Sequence, residues 1–273
     1  MRIAKAGAVT AVLVLALTAC GSTPGAGPVA DASTASTPSA SPSFSVSATA
    51  PSDDGLSPAN LASELLGRLA EKGTFHVVSR TTTAGEGASV VTADLRIGGD
   101  HAGLIAIGGG RKLIKTGSAV YLKDATVTGD KTRPWSELAA GGQSSRPGRQ
   151  LLRAAQVHAL IGGAAHATTF QRGDRITVNG APAQEYVVSI DLARATAAGA
   201  MDGYLTADTT SSLPEALTVR IAVGAHCLPV QLRFTLDDQT TGRADVTATF
   251  SRFGQKLTLT PPSPQKIASP ATT

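Results

Sequence analysis

Apolar and polar residues alternate along most of the chain between residues 74 and 250. Val91, Ala93, Leu95 and Ile97 are separated by Thr92, Asp94 and Arg96, and Leu217, Val219, Ile221 and Val223 enclose Thr218 and Arg220. Leu228, Val230, Leu232, Phe234 and Leu236 alternate with Gln231, Arg233 and Thr235. Tyr186, Val188 and Ile190 keep the same period, as do Val246, Ala248 and Phe250. A period of two sends successive side chains to opposite faces, so each run predicts a strand with one covered and one wet face. Weaker runs predict strands at 74–80, 103–107, 112–116, 118–123, 166–171 and 173–178. Gly98-Gly99-Asp100, Gly108-Gly109-Gly110, Asn179-Gly180 and Thr241-Gly242 supply turns between them. Links this short imply antiparallel pairing.

A helical period occurs in three places. Ser57-Pro58-Ala59-Asn60 reads as an N-cap with proline at the first helical position, followed by Leu61, Leu65, Leu66 and Leu69, and Gly73 ends the run. Two more helices are predicted at about 148–161 and 192–201. The pattern as a whole is α+β: one large antiparallel sheet with few helices, all on its apolar face.

Before residue 56 the periodicity disappears. Residues 21–55 are mostly Ser, Thr, Ala, Pro and Gly, with Asp31, Asp53 and Asp54 as the sole charges. Such a segment buries too little surface to offset its ordering entropy and is expected to be a disordered tether. As a flexible coil it spans about 30–35 Å, and drawn out it reaches about 110 Å. Ahead of it, Met1-Arg2-Ile3-Ala4-Lys5 is a cationic start, and Ala6 to Ala19 is an uncharged, mostly apolar run. As a helix that run would be about 21 Å long, short of a bilayer core. It ends in Leu17-Thr18-Ala19-Cys20, which resembles the bacterial lipobox. That resemblance implies a signal peptide over 1–19 and a diacylglyceryl anchor on Cys20, holding the protein on the extracytoplasmic face of the cell membrane. Pro261-Pro262-Ser263-Pro264 ends regular structure, and 263–273 is expected to be a flexible tail.

Composition narrows the function classes. The 273 residues carry a formal charge of +4, too little for a nucleic-acid footprint. Charged residues make up 16% and hydrophobic ones 42%, enough apolar material for a core. Aromatics are 4%, so Val, Leu, Ile and Ala must supply most of the burial. Two cysteines exclude a disulfide framework and a multi-cysteine metal module. Cys227 reads as a small buried apolar residue.

No catalytic pattern emerges. There is no G-x-S-x-G elbow, and His226 and Cys227, as strand neighbours, would face opposite ways. His76, His101, His158, His166 and His226 lack ligand spacing, so no metal or cofactor is expected. Gly108-Gly109-Gly110-Arg111-Lys112 fits a hairpin rather than a phosphate loop, and Asp237-Asp238 fits a strand end. The chain is not expected to be an enzyme. Two cationic groups, Arg111, Lys112 and Lys115, and Arg146, Arg149 and Arg153, are either a solvated face or a rim for anionic head groups.

In order and spacing these pieces resemble the LppX/LprAFG family of actinobacterial envelope lipoproteins. The likeness rests on Cys20; Ser118-Ala119-Val120-Tyr121-Leu122-Lys123 followed by Pro134-Trp135-Ser136; and Ile176-Thr177-Val178-Asn179-Gly180 leading into Tyr186 to Asp191. It continues with Leu213-Pro214-Glu215-Ala216-Leu217, Cys227-Leu228-Pro229-Val230, and Phe250-Ser251-Arg252-Phe253-Gly254 ahead of a final strand. It covers about 56–262, which it implies is a lipid-binding domain. The family fold is a half-barrel similar to the LolA/LolB carriers: a strongly curved antiparallel sheet whose concave apolar face is covered by helices and holds acyl chains.

The implied function is to bind a lipid or glycolipid and carry it through the envelope, with a membrane exporter as partner. Exposing a chain of ~15 methylenes to water costs on the order of 12 kcal/mol, the barrier such a cavity would remove. Alternation puts Val91, Leu95, Ile97, Val188, Ile190, Val219, Ile221, Val230, Leu232 and Phe234 on the inward face, and the resemblance makes that face the cavity wall. Arg111, Lys112, Arg146, Arg149 and Arg153 would form the head-group rim. The alternative is an envelope interaction or sensor lipoprotein in which the same face is a filled core and the partner is a protein.

Overall fold

The computed structural model describes residues 55–85, 87–98, 102–124, 128–138, 145–202, 204, 213–238 and 242–268. The expected signal peptide, Cys20 and the tether as far as Asp54 lie outside these residues, as do Gly99, Asp100, His101, Thr241 and 269–273.

The strands are β1 (Thr74–Thr83), β2 (Gly87–Arg96), β3 (Gly103–Gly108), β4 (Arg111–Thr116), β5 (Ala119–Lys123), β6 (Trp135–Glu137), β7 (Ala167–Val178), β8 (Ala181–Asp191), β9 (Ala216–Val223), β10 (Pro229–Asp238) and β11 (Gly242–Ser251). They form one 11-stranded sheet in the order β6-β5-β4-β3-β2-β1-β11-β10-β9-β8-β7. Two antiparallel meanders, β1 to β6 and β7 to β11, meet where β1 pairs with β11, so that His76 faces Ser251 and Thr83 faces Ala244. The weak runs at 166–171 and 173–178 are a single strand, β7, whose register against β8 shifts between Arg172 and Arg175. Strand β6 is an addition that no alternating run announces. The final strand implied beyond Gly254 does not form: residues 255–263 belong to no strand.

The half-barrel expectation is corrected. The sheet is open and is not strongly curled: its order runs linearly from β6 to β7, and no ladder joins these edges. Strong sheet curvature needs bulges or other breaks that bend the strands. Here register runs unbroken from β6 through β1 and on to β10, and shifts occur only in the β7–β8 and β9–β10 ladders.

The helices are α1 (Leu61–Lys72), α2 (Arg146–Ala155), α3 (Ala159–Gly163) and α4 (Leu192–Ala197). Residues Ser57 to Asn60 form a turn ahead of α1: the Ser57 amide donates to Asn60 Oδ1 at 2.7 Å, and the Leu61 amide donates to the Ser57 carbonyl at 2.9 Å. Asn60 therefore stands at the cap position, and Gly73, with φ 71°, ends the helix. The helix expected over 148–161 is broken at Gln156 to His158. Its first half starts earlier, where Ser145 Oγ accepts from the Gly148 amide at 3.3 Å. Asp191 caps α4 by accepting from the Arg194 amide at 2.9 Å. No helix among the described residues is long and apolar enough to cross a membrane.

Among the described residues these four helices cover one face of the sheet, here called inner. Leu65 and Leu69 of α1, Leu151 and Leu152 of α2, Leu160 and Ile161 of α3 and Leu192 of α4 join the strand residues in one buried cluster. The outer face is crossed by the chain beyond β11. Thr74 Oγ1 donates to the Gln255 carbonyl at 2.6 Å, and the Arg96 guanidinium donates to the Leu257 carbonyl. Leu259 packs at Gly103, and Ile267 bridges in parallel to Trp135 of the edge strand β6. Within the expected tail, residues 263–268 reach β6, where the Ala268 amide donates to the Trp135 carbonyl at 2.7 Å.

Candidate functional site

The inner face under α2 is built from small residues. Ala93 pairs with Ala106 across β2–β3, and Val91 pairs with Gly108. A Cβ on Gly108 would lie 3.2 Å from Leu151 Cδ2 and 2.8 Å from Val91 Cγ2, so the bare glycine lets α2 descend onto the β2–β3 hairpin. Larger side chains fill the other half of the sheet, where Tyr186, Val188 and Ile190 of β8 face Ile221, Val219 and Leu217 of β9. The layer between sheet and helices is therefore occupied by side chains along this interface.

Of the ten residues expected on the inward face, Leu95, Val188, Ile190, Val219, Ile221, Leu232 and Phe234 are buried in the main cluster, and Val91 and Ile97 pack against it. Val230 does not join them. The register between β9 and β10 shifts between Pro229 and Gln231, which leaves Val230 as the extra residue of a bulge. It packs instead in a separate small cluster with Ile176, Val178, Ala183 and Ala222.

A cleft of ≈ 270 Å³ lies where the apolar layer meets solvent. Its walls are the ends of β2, β3 and β4 and the break between α2 and α3. Leu95, Ile97 and Leu104 supply the apolar part, Lys115 the positive charge, and Gln156 and His158 the side facing the helices, while Arg96 lines the cleft with its guanidinium turned to the Leu257 carbonyl. His158 Nδ1 is enclosed and has no hydrogen-bond partner among the described residues. Burial pushes its imidazole down to about 4, so the ring is neutral at pH 7. An apolar wall with a lysine at its mouth suits an amphiphile with an anionic or phosphate-bearing head. Lys115, His158 and Gln156 were not singled out together by sequence, because a period of two says nothing about which loop ends converge.

The expected head-group rim is divided. Arg111 Nε donates to the buried Asp124 carboxylate at 2.5 Å, and Arg153 Nε donates to the Tyr204 carbonyl at 3.2 Å. Arg146 and Arg149 are exposed on α2. Lys112 alternates with Leu113, a core residue, and so faces outward on the other side of the sheet. His226 and Cys227 are not strand neighbours: they form the tight β9–β10 turn, both with left-handed backbones at φ 61° and 53°. Among the described residues no group of three or more His, Cys, Asp or Glu could hold a metal ion.

No protein-family profile and no curated protein matches the chain in sequence. Solved structures are similar in part. The lipoprotein LppX of Mycobacterium tuberculosis aligns over 77% of this chain and 100% of its own at 15% identity and a TM-score of 0.47. LprF from Mycobacterium bovis aligns over 78% and 99% at 15% identity and 0.46. A LolA superfamily protein from Nitrosomonas europaea aligns over 70% and 94% at 9% identity and 0.28.

Proposed function

We propose that the protein is a membrane-anchored envelope lipoprotein that binds the acyl part of a lipid or glycolipid and carries it between envelope layers. In this reading residues 1–19 are a signal peptide, Cys20 carries the anchor, 21–55 are the tether, and a membrane exporter hands over or receives the cargo. The observation that carries it is the cleft at Leu95, Ile97 and Leu104, where the apolar layer between helices and sheet opens to solvent beside Lys115.

At ≈ 270 Å³ the cleft is smaller than the ~300–1,000 Å³ of ordinary ligand pockets, so it holds only part of a lipid. Fuller uptake requires α2 and α3 to part from the sheet. The acyl chain would then replace helix contacts along Val91, Leu95, Ile97, Val188, Ile190, Val219, Ile221, Leu232 and Phe234. Both states bury apolar surface against apolar surface, which keeps the exchange near balance.

A second reading is favoured by one observation, the close seating of Leu151 over Gly108, which fills the layer without ligand. In that reading the lipoprotein is an interaction or sensor module with a protein partner. Extraction and mass spectrometry of lipid from the chain purified out of its native envelope separates the two. A stoichiometric lipid, lost in Ile97→Trp, supports the carrier; a stable lipid-free protein supports the module.

A further inference from the structure

The outer face bears two pairs of like charges set directly opposite each other, and they are treated differently. Arg220 of β9 faces Arg233 of β10, and the buried Glu185 carboxylate binds both. Lys112 of β4 faces Lys123 of β5 in the same way. No ion pair joins either lysine to a carboxylate among the described residues. Like charges directly opposite in a sheet are destabilising, so this pair stands uncompensated.

Beside it lie the two large apolar side chains most exposed among the described residues, Ile107 at 50% and Val90 at 41%. Register makes the group continuous. Ile107 pairs with Lys112, which pairs with Lys123; on its other side Ile107 pairs with Thr92, two residues along β2 from Val90, and Val90 pairs with the exposed Arg80 of β1. The nearest carboxylates by register, Asp94, Glu137 and Asp245, belong to adjoining rows; Asp94 is held by His76 at 2.7 Å and Asp245 lies 3.8 Å from Arg243. Apolar residues ringed by unneutralised cations are complementary to an anionic bilayer surface, where acyl and head-group layers lie within one side-chain length.

We propose that this corner of the outer face, Val90 and Ile107 with Arg80, Lys112 and Lys123, docks on the surface of an anionic membrane. The docking orients the domain, with β3 and β4 against the lipid, and is separate from the cleft and from any cargo in it.

The test uses the mature chain, residues 20–273 carrying Cys20→Ser, so that neither the apolar 1–19 run nor an acyl anchor contributes, and sedimentation with vesicles of phosphatidylcholine alone or with about a third phosphatidylglycerol. The expected result is preference for the anionic vesicles that falls as salt rises, about tenfold weaker in Lys112→Glu/Lys123→Glu and several-fold weaker in Ile107→Ser. Ile107→Ser keeps the test valid if the double variant misfolds. Equal binding to both vesicles by the parent chain overturns the proposal, as does parent-like binding by either variant with an unchanged melting curve. Binding to soluble polyglutamate as tight as to anionic vesicles, with Ile107→Ser without effect, overturns it in favour of an acidic protein partner. Loss of docking with retained cargo lipid, or the reverse, tells failure of this proposal from failure of the carrier reading.

Discussion

The ring of His158 stands edge-on to Phe75, with centroids 5.4 Å apart and planes 74° to each other. Phe75 in turn leans on Phe250, 5.9 Å away, so one imidazole closes an aromatic group spanning β1, β11 and the α2–α3 break. Burial holds that imidazole at about 4, below its ordinary 6.5. The unfolded chain therefore binds a proton more readily, and the contribution to stability is full above pH 6.5 and lost as pH falls to about 4. The loss is of the order of 2–3 kcal/mol. Thermal melts between pH 7 and pH 4 should show it, and His158→Leu should flatten that part of the profile relative to the parent chain.

Gly103 is irreplaceable for a local reason. A Cβ there would fall on the Lys115 carbonyl oxygen and within 2.8 Å of Leu259 Cδ1. Backbone cannot yield as a flexible side chain can, so Gly103→Ala should cost about 2–3 kcal/mol in urea unfolding. Gly67→Ala, on an exposed turn of α1 with open space around it, should instead stabilise by a few tenths to about 1 kcal/mol.

Glu185 is buried and holds Arg220 at 2.8 Å and Arg233 on the outer face. The arginine side chains are 52% and 45% exposed, so solvent screens their repulsion in part. Glu185→Gln should cost about 1–2 kcal/mol, and added Arg220→Met should restore part of it, which a double-mutant cycle measures. Raised salt should shrink the Glu185→Gln effect.

Trp135 is the single tryptophan and is 9% exposed, with the bridge to Ile267 beside it. Truncation after Gly254 removes Leu257 and Leu259 from the outer face and Ile267 from the β6 edge. Its emission should shift to the red and the melting temperature should fall; unchanged emission would mean the C-terminal crossing does not cover this edge.

Alternation, turn residues and caps are local properties, and they carried the positions of most strands, though not β6 and not the union of two runs in β7, and the places of α1, α2 and α4. Which strand neighbours which was not local. The pairing of β1 with β11 joins residues far apart in sequence, and nothing in either run names the other. Nor does a period of two report sheet curvature, which follows from where register breaks; the unbroken ladders around β1 leave the sheet open instead of curled. A single-residue bulge sent Val230 to the opposite face, against its alternation. The cleft at His158 and the facing pair Lys112 and Lys123 likewise exist only once register and helix docking bring separate segments together. Sequence determined which surfaces are apolar and which are wet, because side-chain chemistry is written residue by residue. The tertiary structure decided which of those surfaces meet, because register, bulges and close approach at Gly108 are properties of pairs of segments.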